Sequence, residues 1–407
     1  MTLFRRMILS GSVFAILLAS ASCKTTGDSS MLQSSNEKAS KVISQDITDL
    51  QPYGDNKLQC VKSPKVLHWP TQSDFSWHDA YTLLWLGWSN LDVNDDFNKG
   101  QQDMLKRWGI DQYFSSVKRG SKYLVFEKNG IVYITFRHSD NLKNWLDNLN
   151  MAAVKSSEFP FFFEGTKVHA GFHDSVAALW PDLLRDLAKI NSQKEKPIIL
   201  AGHSVAGAQA ELTAVGLSVL GFRIRASYLT GTPRVGNSSW VDWAGNIRSH
   251  DSGLPLSKIT YKIVNGTDFF SYVPIHSSSE SIVDEIIKSF GGLLPKIKTI
   301  QGIFNPNWLI KRIGGQEAEI PRYNHLGKFH FIGESEVAAV YPTQDAQLDQ
   351  KYWQGFLDNV KAANPGYDRT KVIIDRIGYH YVRNKNGYAC TMLRHLGNKS
   401  NLRGNSP

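Results

Sequence analysis

The sequence lacks the patterns that mark several large functional classes. Among 407 residues there are 3 cysteines, and neither these nor the 12 histidines form a cluster with the spacing of metal ligands. It also contains no glycine-rich phosphate loop and no internal repeat. We therefore expect no metal, nucleotide or other cofactor.

Long apolar runs are missing too. The run at residues 7–18 is too short to span a bilayer, but Arg5 and Arg6 precede it and small residues follow it. This order is typical of a secretory signal, so we predict a signal peptide over residues 1–22 and export of the remainder.

Two kinds of processing remain open at the end of this signal. Cleavage at the small residues 19–21 would release a soluble, secreted protein. The residues just before Cys23 instead resemble a loose bacterial lipobox, in which Cys23 is lipidated and anchors a cell-envelope lipoprotein in the periplasm or outer membrane. We favour the lipoprotein, because residues 23–58 are polar and suit a flexible tether.

The composition of the chain is typical of a folded, globular protein. It is 42% hydrophobic and 11% aromatic, which is enough for a full core, so we predict one domain over residues 59–398 and a polar tail over residues 399–407. The net charge of +9 would favour anionic lipid headgroups. Because the basic residues are scattered, we expect no nucleic-acid partner.

A serine in a sharp turn is the strongest chemical signal. Residues 197–210 read PIILAGHSVAGAQA, an apolar β-branched run, a Gly-x-Ser-x-Ala turn and an alanine-rich stretch. This pattern predicts a buried strand that reverses into a helix and exposes the hydroxyl of Ser204 as a nucleophile. The flanking Gly202 and Ala206 are small, as the crowding in such a turn requires.

Five further segments occur in a fixed order around this serine. They are IVYITFRHSDNLKNWLDNL (131–149), KVHAGFHDSVAAL (167–179), TGTPRVGN (230–237), YKIVNGTDFFSYVP (261–274) and YNHLGKFHFIG (323–333). Together they resemble the class 3, fungal-type lipase family of α/β-hydrolases over about residues 66–398. The resemblance implies an α/β fold with a mostly parallel central sheet flanked by helices, a lid helix, and a serine hydrolase of lipid carboxylic esters.

The resemblance also assigns the two partners of the serine. Asp268 follows an apolar strand and matches the acid segment of the family, so it would orient the base. His380 matches the family's histidine near the domain end and is our choice of base, with His325 and His330 as rivals. The stretch between acid and base is much longer than that between serine and acid, which indicates an insertion.

The family's oxyanion hole maps onto two residues of this chain. These are Val205, through its backbone N–H, and Ser139, through its backbone N–H and its hydroxyl. The chain departs from the family at His138 and Ala206, where the family has glycine. A histidine resists backbone angles that glycine allows, so His138 could disturb the oxyanion geometry, whereas Ala206 adds only a methyl group.

An apolar stripe directly after Ser139 is predicted to form the lid. Its members have helical spacing: Leu142, Trp145, Leu146 and Leu149. In the family this position covers the acyl site in water and opens at a lipid surface. An ordinary amphipathic helix packed on the core is the alternative.

Two further features, an amphipathic segment and a pair of cysteines, each have two interpretations. Residues 277–315 are amphipathic and basic, which suits either a membrane-facing roof over the acyl pocket or extra helices packed on the core. Cys60 and Cys390 would form the terminal disulfide that the family resemblance implies; two buried thiols are the other interpretation.

The sequence therefore predicts a triacylglycerol lipase or phospholipase A1 that works through an acyl-enzyme at a membrane or emulsion surface. The motifs do not separate these substrates or predict an oligomeric state. The competing class is a catalytically inactive lipase-like surface lipoprotein that binds lipid or a protein partner. A peptidase or thioesterase on the same scaffold is less favoured, because only the general triad supports it.

Overall fold

In the computed structural model, strands and helices alternate between residues 168 and 230, and runs of two or more elements of one type flank this part. The structure describes residues 64, 67–89, 99–138, 153–154, 165–274, 277–290, 323–332, 337–340, 345–363, 372, 376, 379–382 and 386–403. The strands there are β1 (Phe114–Lys118), β2 (Ser121–Lys128), β3 (Ile131–His138), β4 (Ala153–Val154), β5 (Val168–His169), β6 (Ile198–His203), β7 (Ile224–Thr230), β8 (Gly236–Asn237), β9 (Thr260–Asn265), β10 (Tyr323–Asn324), β11 (Lys328–Ile332) and β12 (Val337–Val340).

The main sheet has eight strands in the order β1-β2-β3-β6-β7-β9-β11-β12. Its five central strands, from β3 to β11, are parallel to one another. The edges are antiparallel, since β1 and β2 precede β3 as a meander and β12 pairs with β11. The predicted mostly parallel sheet is therefore confirmed. A second sheet joins the short strands in the order β10-β8-β5-β4.

Helices cover both faces of the main sheet. In the described residues they are α1 (Trp77–Ser89), α2 (Lys99–Arg107), α3 (Ala170–Ile190), α4 (Val205–Val219), α5 (Ser238–Asn246), α6 (Leu256–Ile259), α7 (Glu280–Phe290), α8 (Asp345–Ala362) and α9 (Tyr388–Arg403). Helices α3 and α4 pack on one face, and α1 and α9 on the other. None of the helices described has both the length and the apolar composition needed to cross a bilayer.

This double cover explains the continuous apolar run before the serine. Along β6, Ile198 and Leu200 point into the core under α3 and α4, while Ile199 and Ala201 point into the core under α1 and α9. All four are at most 2% exposed. A strand buried on both faces needs apolar residues at every position rather than at alternate ones.

The insertion between acid and base is described in part. In residues 277–290, α7 packs against α8 and buries Val283 and Ile286, each 1% exposed, in the core under α3 and α4. Its exposed residues include the acidic Glu280, Asp284 and Glu285 and the basic Lys288. This part of the insertion is therefore packed on the core, whereas residues 291–315 lie outside the described residues.

The C-terminal helix α9 continues to Arg403, past residue 398 where the polar tail is predicted to begin. The predicted signal peptide and tether, residues 1–58, lie outside the described residues.

Candidate active site

Ser204 occupies a sharp turn between β6 and α4, as the sequence predicts. Its backbone angles are φ 61° and ψ −130°, a region that a side chain other than hydrogen adopts only under strain. A Cβ at Gly202 would lie 2.2 Å from the carbonyl oxygen of Ala206, so only glycine fits there. The crowding between positions 202 and 206 is thus real, and Ala206, 2% exposed, is accommodated.

His380 and Asp268 lie next to this serine. Nε2 of His380 is 2.8 Å from Oγ of Ser204, and Nδ1 is 3.0 Å and 3.1 Å from the two carboxylate oxygens of Asp268. Since an ionised carboxylate only accepts, Nδ1 carries a proton and Nε2 is free to accept the serine proton. The structure thus brings together the three residues that the sequence singles out.

The rival histidines contact other parts of the molecule. His325 is 1% exposed and its Nε2 lies 2.7 Å from the carbonyl oxygen of Ser271. His330 stacks on Phe75, with ring centroids 3.6 Å apart, and burial lowers its pKa to about 4. Neither histidine has a described contact with Ser204 or Asp268.

Asp268 has further partners that sequence reasoning missed. It caps a short 3-10 turn, Phe269–Tyr272, and its Oδ1 accepts the N–H of Phe270 at 3.0 Å. Its Oδ2 accepts the hydroxyl proton of Tyr388 at 2.6 Å. Only the aromatic segment before Cys390 marks this tyrosine in the sequence, and nothing there points to the acid.

His203 packs beside the base. Its ring centroid lies 4.7 Å from that of His380, and its Nδ1 is 3.2 Å from Oγ1 of Thr230. Burial, together with the charges of His380 and Arg137, holds the pKa of His203 well below its ordinary value. His203 is therefore neutral and adds no positive charge near the base.

The loop that carries Asp268 is supported by Arg234 and by helix α8. Arg234, from the TGTPRVGN segment, donates to the carbonyl oxygens of Tyr272 and Pro274 at 2.8 Å and 2.9 Å, and to Asp349 of α8 at 2.6 Å. Both members of this ion pair are fully buried. Trp353, one turn further along α8, packs edge-on against Phe269. Arg234 and α8 thus hold the loop of Asp268 in place.

The predicted oxyanion residues are described in part. Val205 is the first residue of α4, where N–H groups have no acceptor within the helix and the helix dipole is positive. His138 ends β3, where it pairs with Ser121. Ser139 and the lid residues Leu142, Trp145, Leu146 and Leu149 lie outside the described residues.

Cys390 is 1% exposed and forms a disulfide bond. Cys23 and Cys60 lie outside the described residues, so the pairing with Cys60 stays a prediction. Across the described ranges, no group of three His, Cys, Asp or Glu side chains is arranged to hold a metal ion.

Comparison with known proteins decides the family. A family model described as lipase (class 3) matches residues 133–277, the range that includes Ser204 and Asp268. The chain is 30% identical over 231 residues to the secreted mono- and diacylglycerol lipase LIP4 of Malassezia restricta, covering 52% of this chain and 70% of that protein. The chain belongs to the class 3 lipase family. Its sheet is accordingly that of an α/β-hydrolase.

Other class 3 lipases match over shorter stretches. A lipase of Rhizomucor miehei is 29% identical over 180 residues, which is 42% of this chain and 44% of that protein. The secreted mono- and diacylglycerol lipase MDL4 of Malassezia globosa is 28% identical over 40% of this chain and 57% of its own length. The chain thus spans about half the length of these relatives.

A solved structure of the lipase from Rhizopus microsporus var. chinensis superimposes on 71% of this class 3 lipase and 87% of its own chain, with 18% identity and a TM-score of 0.43.

Proposed function

We propose that this class 3 lipase hydrolyses carboxylic esters of lipids. The observation that carries the proposal is the unbroken chain from the hydroxyl of Ser204 through His380 to the buried Asp268. Membership of a family whose named members are lipases supports the same activity.

The reaction follows from the geometry. Ser204 attacks the ester carbonyl while Nε2 of His380 takes its proton, and Asp268 stabilises the resulting imidazolium. The N–H of Val205 and the predicted donor Ser139 would bind the oxyanion. His380 returns the proton to the departing alcohol, leaving an acyl-enzyme; water, deprotonated by His380, then releases the fatty acid and restores Ser204.

The substrate class is proposed at two levels. Lipid esters at a membrane or emulsion surface are favoured because the relatives are named lipases and because an apolar stripe follows Ser139. Within that class, triacylglycerol lipase and phospholipase A1 activity are both open, and the relatives named mono- and diacylglycerol lipases add partial glycerides as substrates to test.

Export is part of the proposal. Relatives are named as secreted lipases, and the N-terminal signal at residues 1–22 agrees with passage through a membrane. Lipidation of Cys23, which would make the enzyme a cell-envelope lipoprotein, is the finer proposal and can be tested by mass spectrometry of the mature N terminus.

The deciding experiment is fatty-acid release by the full chain after export and purification. Substrates are emulsified tri-, di- and monoacylglycerol, phosphatidylcholine and a soluble short-chain ester. We compare the unmodified protein with Ser204→Ala and His380→Ala, and use His330→Gln and the exposed Ser252→Ala as matched controls outside the site. Circular dichroism verifies the fold of each variant.

Hydrolysis that disappears in both site variants and survives in both controls would establish the enzyme and rank its substrates. A well-folded chain that binds lipid vesicles but releases no fatty acid would refute the proposal. That outcome would favour the inactive, lipid- or partner-binding lipoprotein. Cleavage of thioesters or peptides alone would indicate a different hydrolase on the same scaffold.

A further inference from the structure

Tyr388 makes a contact that the proposed reaction does not use. Its side chain is fully buried at the start of α9, and its hydroxyl lies 2.6 Å from Oδ2 of Asp268. The same oxygen accepts the backbone N–H of Asn265 at 3.1 Å. Because a carboxylate can only accept, the phenolic proton must point at Asp268.

Asp268 therefore has three hydrogen-bond donors around it. The N–H of Phe270 holds Oδ1, the hydroxyl of Tyr388 holds Oδ2, and Nδ1 of His380 lies almost equidistant from both oxygens. Donors at both ends of the carboxylate prevent its rotation and fix the edge that it presents to the imidazole. Burial and the charge of Asp268 raise the pKa of Tyr388, so the phenol remains a donor.

The packing around these groups is close. A Cβ at Gly231, which has φ +57°, would lie 2.8 Å from Oδ2 of Asp268 and 3.1 Å from both Nδ1 of His380 and the hydroxyl of Tyr388. Acid, base and phenol thus converge above one glycine, where no other residue would leave room for all three.

We propose that Tyr388 is a positioning residue of the active site, which orients Asp268 and withdraws part of its negative charge from His380. This inference rests on the proposed function, in which His380 is the base and Asp268 orients it. A phenol that shares the charge of the carboxylate weakens the attraction between Asp268 and the imidazolium. Removal of the hydroxyl should therefore raise the pKa of His380 and loosen its alignment.

The other described groups that face His380 do not donate a side-chain hydrogen bond to Asp268. Besides Asp268, the side chains described in contact with its ring include Ser204, Phe270 with ring centroids 3.8 Å apart, and the neutral His203. Arg137 acts on His203 electrostatically. Among the described neighbours of His380, Asp268 carries the negative charge, and Tyr388 is the side chain that donates to it.

The test measures the pKa of His380 by NMR in the full chain labelled at histidine Cε1. Tyr388→Phe keeps the ring and removes the hydroxyl, whereas 3-fluorotyrosine at position 388 keeps the hydroxyl and makes it a stronger donor. The matched control is Tyr123→Phe, since Tyr123 is fully buried and its hydroxyl also lies 2.6 Å from a buried carboxylate, Asp186, in another part of the fold.

We expect the pKa of His380 to rise by about 0.5 unit or more in Tyr388→Phe and to fall with 3-fluorotyrosine. We also expect kcat for a soluble ester to fall about tenfold in Tyr388→Phe with KM unchanged, and the acidic limb of kcat/KM to move to higher pH. Tyr123→Phe should lose stability without changing the pKa of His380 or the pH profile.

An unchanged His380 titration in both position-388 variants would overturn the inference, because a purely structural tyrosine affects stability alone. If Tyr388→Phe does not fold, the protein with 3-fluorotyrosine at position 388 still tests the inference, because the pKa of His380 must fall in it. The titration needs no turnover, so an unmodified protein that hydrolyses no ester would refute the proposed function and leave the test of Tyr388 intact.

Discussion

The buried ion pair between Lys262 and Glu211 offers the most quantitative test of how the fold supports the site. Lys262 lies on β9, which leads to Asp268, and Glu211 lies on α4, which follows Ser204. Their side chains are 1% and 0% exposed and hydrogen-bonded to each other. We expect Lys262→Met, which keeps the length of the side chain and removes the charge, to leave Glu211 buried without its cation.

The pH dependence of the loss can be calculated. Desolvation already raises the pKa of Glu211 against the opposing charge of Lys262, and loss of that charge raises it further. The raised pKa favours the protonated form of Glu211 in the folded variant, whereas the unfolded chain titrates near the ordinary value of 4.5. Protonating the carboxylate costs at most about 5 kcal/mol at pH 8 but less than about 1 kcal/mol at pH 5.

The sign follows from linkage. A carboxyl group whose folded pKa is raised contributes stability that is fully present below its unfolded pKa and is lost as the pH rises towards its folded pKa. Lys262→Met should thus be nearly as stable as the parent at pH 5 and much less stable at pH 8. Urea unfolding followed by tryptophan fluorescence at both pH values measures the difference.

A double variant separates charge from packing. Lys262→Met with Glu211→Leu leaves no buried charge, so it should recover most of the stability lost at pH 8. A loss of equal size at pH 5 and pH 8 would refute the electrostatic argument and indicate a packing defect. A double variant less stable than the single variant would refute it as well.

Three further outcomes are expected. Asp268→Asn should lower kcat by about 10⁴-fold with the fold intact, because the amide favours the wrong tautomer of His380; a loss below tenfold in ester hydrolysis would argue against the role of the acid. Gly202→Ala should abolish activity or folding, since its Cβ would meet a carbonyl oxygen at 2.2 Å, and an active, stable variant on assay and thermal melting would contradict that geometry. Burial raises the pKa of Asp79 to about 7, so its ionisation should lower the free energy of unfolding as the pH rises from 4 to 8. Asp79→Asn should remove up to about 4 kcal/mol of that decline, measured by urea titrations. Equal pH profiles of the free energy of unfolding in the variant and the parent would refute the raised pKa of Asp79.

Much of the fold was predictable because its signals are local. The apolar run in β6 reflects burial on both faces, and the small residues around Ser204 reflect clashes within five consecutive positions. The apolar strand before Asp268 and the match of motifs to the family also pointed to Asp268 and His380. The amphipathic interpretation of residues 277–315 was ambiguous, because a helix packed on the core and one facing a membrane share the same periodicity.

The sequence by itself determined the sharp turn at Ser204 and the strand that precedes it, and it pointed to the type of chemistry, since these depend on neighbours along the chain. Only the tertiary structure identified Tyr388 as a donor to Asp268, 120 residues away, and Arg234 as the clamp between the acid loop and Asp349, 115 residues away. Hydrogen bonds of this kind leave no periodic pattern, because their partners meet only after the sheet has brought distant segments to one edge.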